Sequence, residues 1–299
     1  MILVAGGTGR LGRLVVAGLV GRDESVRVLT RDPARAGLSS GPLVEVVRGD
    51  VRVPDTLLPA LAGVRVVVSA VHGFAGPGRV TPTSVDRDGN ANLVAAARAA
   101  GAVVVLMSVV GASPDHAMEL FRMKAAAERN MRASGVRWTV VRASAFLELY
   151  LELLHRSAGK SGRPMVFGRG DNPINFVSVT EVADAVVGAV LDPSVRGRVV
   201  EVVGPRDLTL NELAAICQRD PGTVGRGTMD RATVGKGPRH LPRAALRVLA
   251  ASRFVIASAP GRQAHAALIM DRTDMTGASH AGRGVPSATG PEGGVVSGQ

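Results

Sequence analysis

A doubly wound parallel α/β sheet is the fold class that this sequence of 299 residues predicts, and three observations carry it. The chain opens with a short apolar run, Ile2 to Val4, that breaks at once into four glycines, Gly6, Gly7, Gly9 and Gly12. Further short runs rich in valine alternate with segments of helical period. A chain of this length buries roughly three quarters of its unfolded surface and needs no staple. Short continuous apolar runs suit strands covered on both faces, and parallel neighbours need crossovers of roughly a dozen residues or more, which the helical segments supply.

The glycine stretch reads as strand, tight turn and helix start. Gly6, Gly9 and Gly12 stand at GxxGxxG spacing, and Gly7, Gly9 and Gly12 also satisfy GxGxxG. Gly6 or Gly7 makes the turn, Gly9 lets backbone approach a pyrophosphate, and Gly12 lets the helix lie close to the strand. Leu11, Val15, Val16 and Leu19 share one helix face, so the helix start can turn its free N–H groups and positive dipole end toward phosphates. The segment Gly6, Gly7, Thr8, Gly9, Arg10, Leu11 and Gly12 is thus read as a dinucleotide cradle.

Val26 to Thr30 is the second strand, and Arg31 at its end lies 19 residues beyond Gly12, where the ribose-reading group belongs. A guanidinium there suits the 2′-phosphate of NADP(H), with Arg10 and Arg35 as possible helpers. Two alternatives stay open: Arg31 is a solvated strand-end residue, or Asp32 swings in and selects NAD(H). Val44 to Arg48 forms a third strand, which puts Asp50 and Val51 beside the expected adenine edge. A short helix over Asp55 to Leu61 leads to a fourth strand, Val64 to Ser69. Ala70 and Val71 are small enough to let the cofactor cross the sheet edge, and His72 reads as a loop histidine facing solvent or substrate. Phe74 to Thr83 carries the turn signals of a mobile loop. A helix over Val85 to Ala100, a strand Val103 to Met107 ending at Ser108, a helix over 119–135 and a strand Trp138 to Arg142 complete the pattern. Ligands of such sheets bind at the carboxyl ends of the strands.

Net charge is +11, with 11 basic and 5 acidic residues in 219–299. The excess is scattered and has few aromatics beside it to stack bases, so nucleic acid is not the expected partner. One cysteine, Cys217, excludes an intrachain disulfide framework and a cysteine-cluster metal site, and no metal is expected. No stretch reaches about 18 uninterrupted apolar residues, and the first strand starts at Met1 without a leader, so the chain is expected in the cytoplasm and off the membrane. Lysine is scarce: Lys124, Lys160 and Lys236 are three of 36 basic residues. No GxSxG, HExxH or GxxxxGK[ST] motif is present, which removes hydrolase, zinc-protease and P-loop readings.

GGTGRLG at the start, TRDP after the second strand, FRMK, RASAFLE, and NFVSVTEVADAV at 175–186 together resemble an atypical, extended short-chain dehydrogenase/reductase of the NmrA-like group, over roughly residues 1–218. The resemblance implies a Rossmann-type domain and NAD(P) chemistry. In tyrosine-dependent members a Tyr precedes the helix lysine by four positions; the lysine matches Lys124, but position 120 is Leu120. FRMK also resembles the isoflavone-reductase-like branch, where a lysine in an FxxK setting acts without tyrosine. Lys124 is then implied to bind the nicotinamide ribose and assist at the substrate oxygen, unless it is an exposed residue paired with Glu128. Ala143 and Phe146 are implied to flank the nicotinamide. Ser108 either bonds substrate or closes a strand, and Tyr150, the one tyrosine, reads as packing.

The resulting expectation is a Rossmann domain over 1–146, a smaller mixed substrate lobe over 147–275 with about 176–203 returning to the sheet, and a glycine-rich disordered tail over 276–299. In that lobe, an apolar helix from Leu147 with Leu149, Leu151, Leu153 and Leu154, a strand Phe176 to Val179, helices at 181–191 and 208–217 (the latter with a Thr209/Glu212 capping box), a strand Val199 to Val203 and a helical pattern at 243–270 are expected. The expected function is reduction of a small carbonyl, enone or quinone by NADPH. The other reading is a non-catalytic redox sensor that binds the dinucleotide and a protein partner.

Overall fold

The computed structural model describes residues 1–38, 41–76, 78–219, 237–251 and 259–277. Lys236, most of the basic turn-rich stretch, Phe254 to Ile256 and the tail from 278 onward lie outside the described residues.

Seven parallel strands form the main sheet. They are β1 (Ile2–Ala5), β2 (Val26–Thr30), β3 (Val44–Arg48), β4 (Val66–Ser69), β5 (Val103–Val109), β6 (Trp138–Ala143) and β10 (Val199–Val202), in the order β10-β6-β5-β4-β1-β2-β3. All four residues of β1 are fully buried, as a strand covered on both faces requires. Ile2 and Val4 point to one layer, built from α1 (Arg10–Val20) and α6 (Val179–Leu191); Leu3 and Ala5 point to the other. That second layer holds α2 (Leu57–Ala60), α3 (Asp88–Ala99) and α4 (Glu119–Ala133). Each buried leucine or valine in these layers contributes about 1.5–3 kcal/mol, so the two faces dominate the stability. The strand order reverses between β1 and β4, which opens a crevice at their carboxyl ends.

Two elements depart from the pattern read in sequence. The helix expected from Val85 begins instead with a π-helical turn, Pro82–Arg87, capped by reciprocal bonds between Thr81 and Ser84, and α3 follows it. The wider turn carries Asp86 to full burial. The strand expected at Phe176 to Val179 is β9 (Ile174–Val177), and it stays outside the main sheet. It pairs with β7 (Ala145–Phe146) and β11 (Asp207–Leu208), because the chain leaves β6 after Ala143 and carries β7 across to it. Of residues 176–203, α6 and β10 do join the main sheet and its cover.

A third core gathers α5 (Leu147–Ala158), β9, α7 (Leu210–Arg219) and α9 (Ala259–Met270). Leu151 and Leu154 enter it, whereas Leu149 and Leu153 are exposed. The Thr209/Glu212 capping box forms, with Thr209 N donating to Glu212 Oε2 at 2.7 Å and Glu212 N to Thr209 Oγ1 at 3.1 Å. A short parallel pair, β8 (Met165–Phe167) and β12 (Arg239–Leu241), precedes α8 (Arg243–Ala251).

Buried Asp271 ties these pieces together. It accepts from Arg169 N at 2.7 Å and from the Arg243 side chain. Burial alone would raise its carboxyl, but the Arg243 bond and the backbone donors hold it below the usual 3.8. A folded value below the unfolded one gives stability that is present above the ordinary carboxylate range and lost as pH falls through the folded value. Amide protection factors in α9 are therefore expected to fall below about pH 4, and Asp271→Asn to show the reduced protection already at neutral pH. Equal protection in both proteins at pH 7 would remove this role.

Candidate functional site

The crevice at the β1/β4 reversal is a cavity of about 380 Å³. Gly6, Thr8 and Gly9 line one part of it, Arg31, Asp32, Arg35, Asp50, Val51 and Arg52 a second, and Ala70, Val71 and His72 a third. Eight residues expected in sequence to hold a cofactor therefore face one space: Gly6, Thr8, Gly9, Arg31, Asp50, Val51, Ala70 and Val71.

The glycine turn is built for close approach. Gly6 has φ +87°, and a Cβ there would lie 2.6 Å from Ala70 O; one on Gly12 would lie 2.1 Å from Gly6 O. Gly9 begins α1 with no side-chain cap, and no acidic residue stands in the first turn. The exposed N–H groups and the dipole end are left to an anion. Arg13 braces the turn from below, donating to Thr8 O at 3.0 Å and to Ala36 O and Gly37 O at 2.6 and 2.9 Å. Gly7 packs on Val28, and Leu11 is core. Arg10 points away from the cavity lining and pairs with Glu152 of α5.

At the β2 and β3 ends, the Arg52 guanidinium grips Asp50 with Nε 3.0 Å from Oδ1 and Nη2 2.5 Å from Oδ2. Burial pushes the Asp50 carboxyl up, but the Arg52 bonds, with Arg31 and Arg52 charge, prevail and hold it below the usual range. Asp32 Oδ2 lies 3.5 Å from Arg35 Nε. Arg31 is exposed and makes no hydrogen bond or ion pair among the described residues, so its fork is available to a ligand.

Lys124 is placed differently from the sequence expectation. It is 4% exposed and does not line the cavity. Its Nζ donates to Met107 O at 2.9 Å and Val71 O at 3.1 Å. It also lies 2.9 Å from Asp86 Oδ1, an ionic contact that leaves Oδ1 without a directed hydrogen bond among the described residues. The i,i+4 partner considered in sequence, Glu128, instead takes Arg142 in a two-point contact, Arg132 at 3.1 Å and the Ser108 hydroxyl at 2.5 Å. Ser108 is thus engaged on the α4 face of the sheet, the side of Val104 and Leu106, and does not line the cavity. Ala143 closes β6 and is buried; Phe146 packs on the core from β7. Tyr150 packs edge-on against Phe176, and burial pushes its hydroxyl to about 12, as fits a packing role.

Asp86 was not legible as a site residue in sequence. Its Oδ2 accepts from Gly73 N at 2.8 Å, and 38 residues separate it from Lys124, with no local signal joining them. His72 and Arg52 could be found by their positions just past strand ends, where such folds carry their ligands.

The glycine cradle, the uncapped helix start and the unpaired arginine fit a dinucleotide. A family model described as NAD(P)H-binding matches residues 6–193. The chain belongs to this NAD(P)H-binding family. It is of the NmrA-like, atypical short-chain dehydrogenase/reductase kind, within a group of NAD(P)H-dependent oxidoreductases. Across 220 residues the NAD(P)H-binding chain is 31% identical to an NAD(P)H azoreductase of Xenophilus azovorans, covering 72% of each. Across 223 residues it is 34% identical to the (4-alkanoyl-5-oxo-2,5-dihydrofuran-3-yl)methyl phosphate reductase of Streptomyces griseus, covering 73% of each. An Escherichia coli NADPH-dependent quinone oxidoreductase solved with NADPH shares the fold, with TM-score 0.70, 22% identity and coverage of 92% of this chain and 91% of that one. No helix among the described residues is long and apolar enough to cross a membrane.

Proposed function

We propose that this protein is an NADPH-dependent reductase of a small conjugated acceptor, of the carbonyl, enone or quinone class. The observation that carries the reading is the single cavity that joins the glycine cradle, the free fork of Arg31 and the β4 end. Gly6, Gly9 and the start of α1 would hold the pyrophosphate, Asp50 and Val51 the adenosine, and Arg31 the 2′-phosphate. The nicotinamide, when bound, supplies the hydride. Relatives whose names record azo and dihydrofuranone reduction support an electron-poor π system as acceptor. Lys124 serves through what it holds: its ammonium joins the ends of β4 and β5 to Asp86.

The test is loss of NADPH absorbance against a panel of quinones, enones, azo dyes and aldehydes. Acceptor-dependent oxidation establishes the reading; none across the panel, with NADPH bound, defeats it. Cofactor choice is separable. Bonds to a charged group contribute about 1.5–3 kcal/mol, so Arg31→Ala is expected to weaken NADPH roughly 10- to 100-fold while leaving NADH nearly unchanged. Equal losses for both nucleotides would remove the 2′-phosphate assignment and favour Asp32 as an NAD-selecting group.

Leu120 at the usual tyrosine position, together with the buried Lys124, also supports the second reading, a redox sensor that binds dinucleotide and a protein partner. It predicts different partner affinity with oxidised and reduced cofactor, measured by co-purification under each.

A further inference from the structure

We propose that His72 is the proton donor to the reduced substrate, presented by the buried Lys124–Asp86 pair. The inference rests on the reductase reading and adds the acid that reading lacks, since Leu120 replaces the usual tyrosine and Lys124 is engaged inside the protein.

The geometry brackets His72 on both sides. Lys124 Nζ holds the carbonyl of Val71, just before it, at 3.1 Å. Asp86 Oδ2 holds the N–H of Gly73, just after it, at 2.8 Å. The two holding groups lie 2.9 Å from each other as an ion pair with Asp86 at 0% and Lys124 at 4% exposure. A loop residue is thereby fixed at both neighbouring peptide groups, which is the preorganisation a proton donor needs. His72 lines the cavity and its ring has no hydrogen-bond partner among the described residues, so its nitrogens are open to a ligand.

Position singles it out. The other titratable residues lining the cavity, Arg31, Asp32, Arg35, Asp50 and Arg52, follow β2 and β3, on the far side of β1. His72 alone among them follows β4, on the side where β5 and β6 continue the sheet. Imidazole is also the side chain that exchanges a proton near neutral pH. His72 is exposed to solvent, and partial desolvation by the protein packed around it lowers its imidazole below 6.5, Asp86 opposing and Lys124 adding to the effect.

With an enone the step balances as follows. The hydride adds its electron pair to the β-carbon and forms the C–H bond, and the π electrons move onto the carbonyl oxygen. The imidazolium N–H bond of His72 breaks as the proton joins that oxygen, and the neutral ring is reprotonated by water from the cavity mouth.

The experiment compares wild type with His72→Gln in two readouts. In the first, kcat/KM for NADPH with menadione and 2-cyclohexen-1-one is measured from pH 5 to 9. Wild type is expected to lose activity as pH rises through the His72 value, and the variant to be about 100-fold slower and flat. In the second, the His72 imidazole is titrated by NMR in NADP⁺-loaded protein, with and without 4-nitrophenolate as the oxyanion probe. The probe is expected to raise the His72 pKa and to bind about tenfold more weakly to the variant. Turnover with an unchanged pH profile in His72→Gln overturns the proposal and leaves the reductase reading intact. So does a His72 signal that moves with NADP⁺ alone and ignores the probe, which would make it a cofactor contact. Absence of any turnover by wild type overturns the reductase reading and the proton transfer with it.

Discussion

Lys124→Met is expected to destabilise the protein by about 3–5 kcal/mol, because it strands a buried carboxylate. Asp86 is wholly inside, and Lys124 is its only ion-pair partner among the described residues. Loss of the ammonium also unpairs Val71 O and Met107 O at the ends of neighbouring strands. Against a typical stability of about 5–15 kcal/mol, that is a large fraction of the whole. Asp86→Asn in the same chain removes the stranded charge while keeping an acceptor for Gly73 N, so the double variant is expected to recover more than half of the loss. Urea denaturation of the four proteins in the cycle measures this. A lysine acting only on substrate would lower turnover and leave the denaturation midpoint unmoved; that outcome would overturn the mounting role assigned here.

Gly12→Ala is expected to cost about 1–3 kcal/mol of stability and to weaken dinucleotide binding more than about tenfold. The added carbon would sit 2.1 Å from Gly6 O and 2.6 Å from Gly7 Cα, and both are backbone atoms. No rotamer change can relieve the clash, so α1 or the turn must move. Either movement shifts the N–H groups that would meet the pyrophosphate. Gly21→Ala at the far end of α1 is the control: its Cβ would meet nothing closer than Ala17 O at 3.3 Å. Isothermal titration with NADP⁺ and thermal unfolding of both variants read the two effects. Unchanged affinity in Gly12→Ala would remove the cradle from the binding site.

The strands were legible because each is a short valine- or isoleucine-rich run closed by a polar or small residue. Val26 to Thr30 and Val44 to Arg48 match their sequence reading to the residue. The glycine turn was legible because its demand is local: a positive φ at Gly6 and contact within six residues at Gly12. Arg31 was placed by its spacing from that turn, a distance fixed by one helix and one strand. Local sequence therefore determined the parallel sheet, the glycine turn and the end of the cavity that Arg31 lines. Which polar side chains meet inside was decided only in three dimensions. Lys124, Asp86 and Ser108 come from separate elements, and a buried charge goes wherever a counter-charge can be reached. Lys124 could have met Glu128 one turn away. Instead the π-helical turn delivered Asp86 to it, Arg142 and Ser108 claimed Glu128, and the loop between Val71 and Gly73 was left holding His72 at the crevice. Charge burial is costly unless paired, and the pairing is a property of the packed layers, which no local pattern in the chain records.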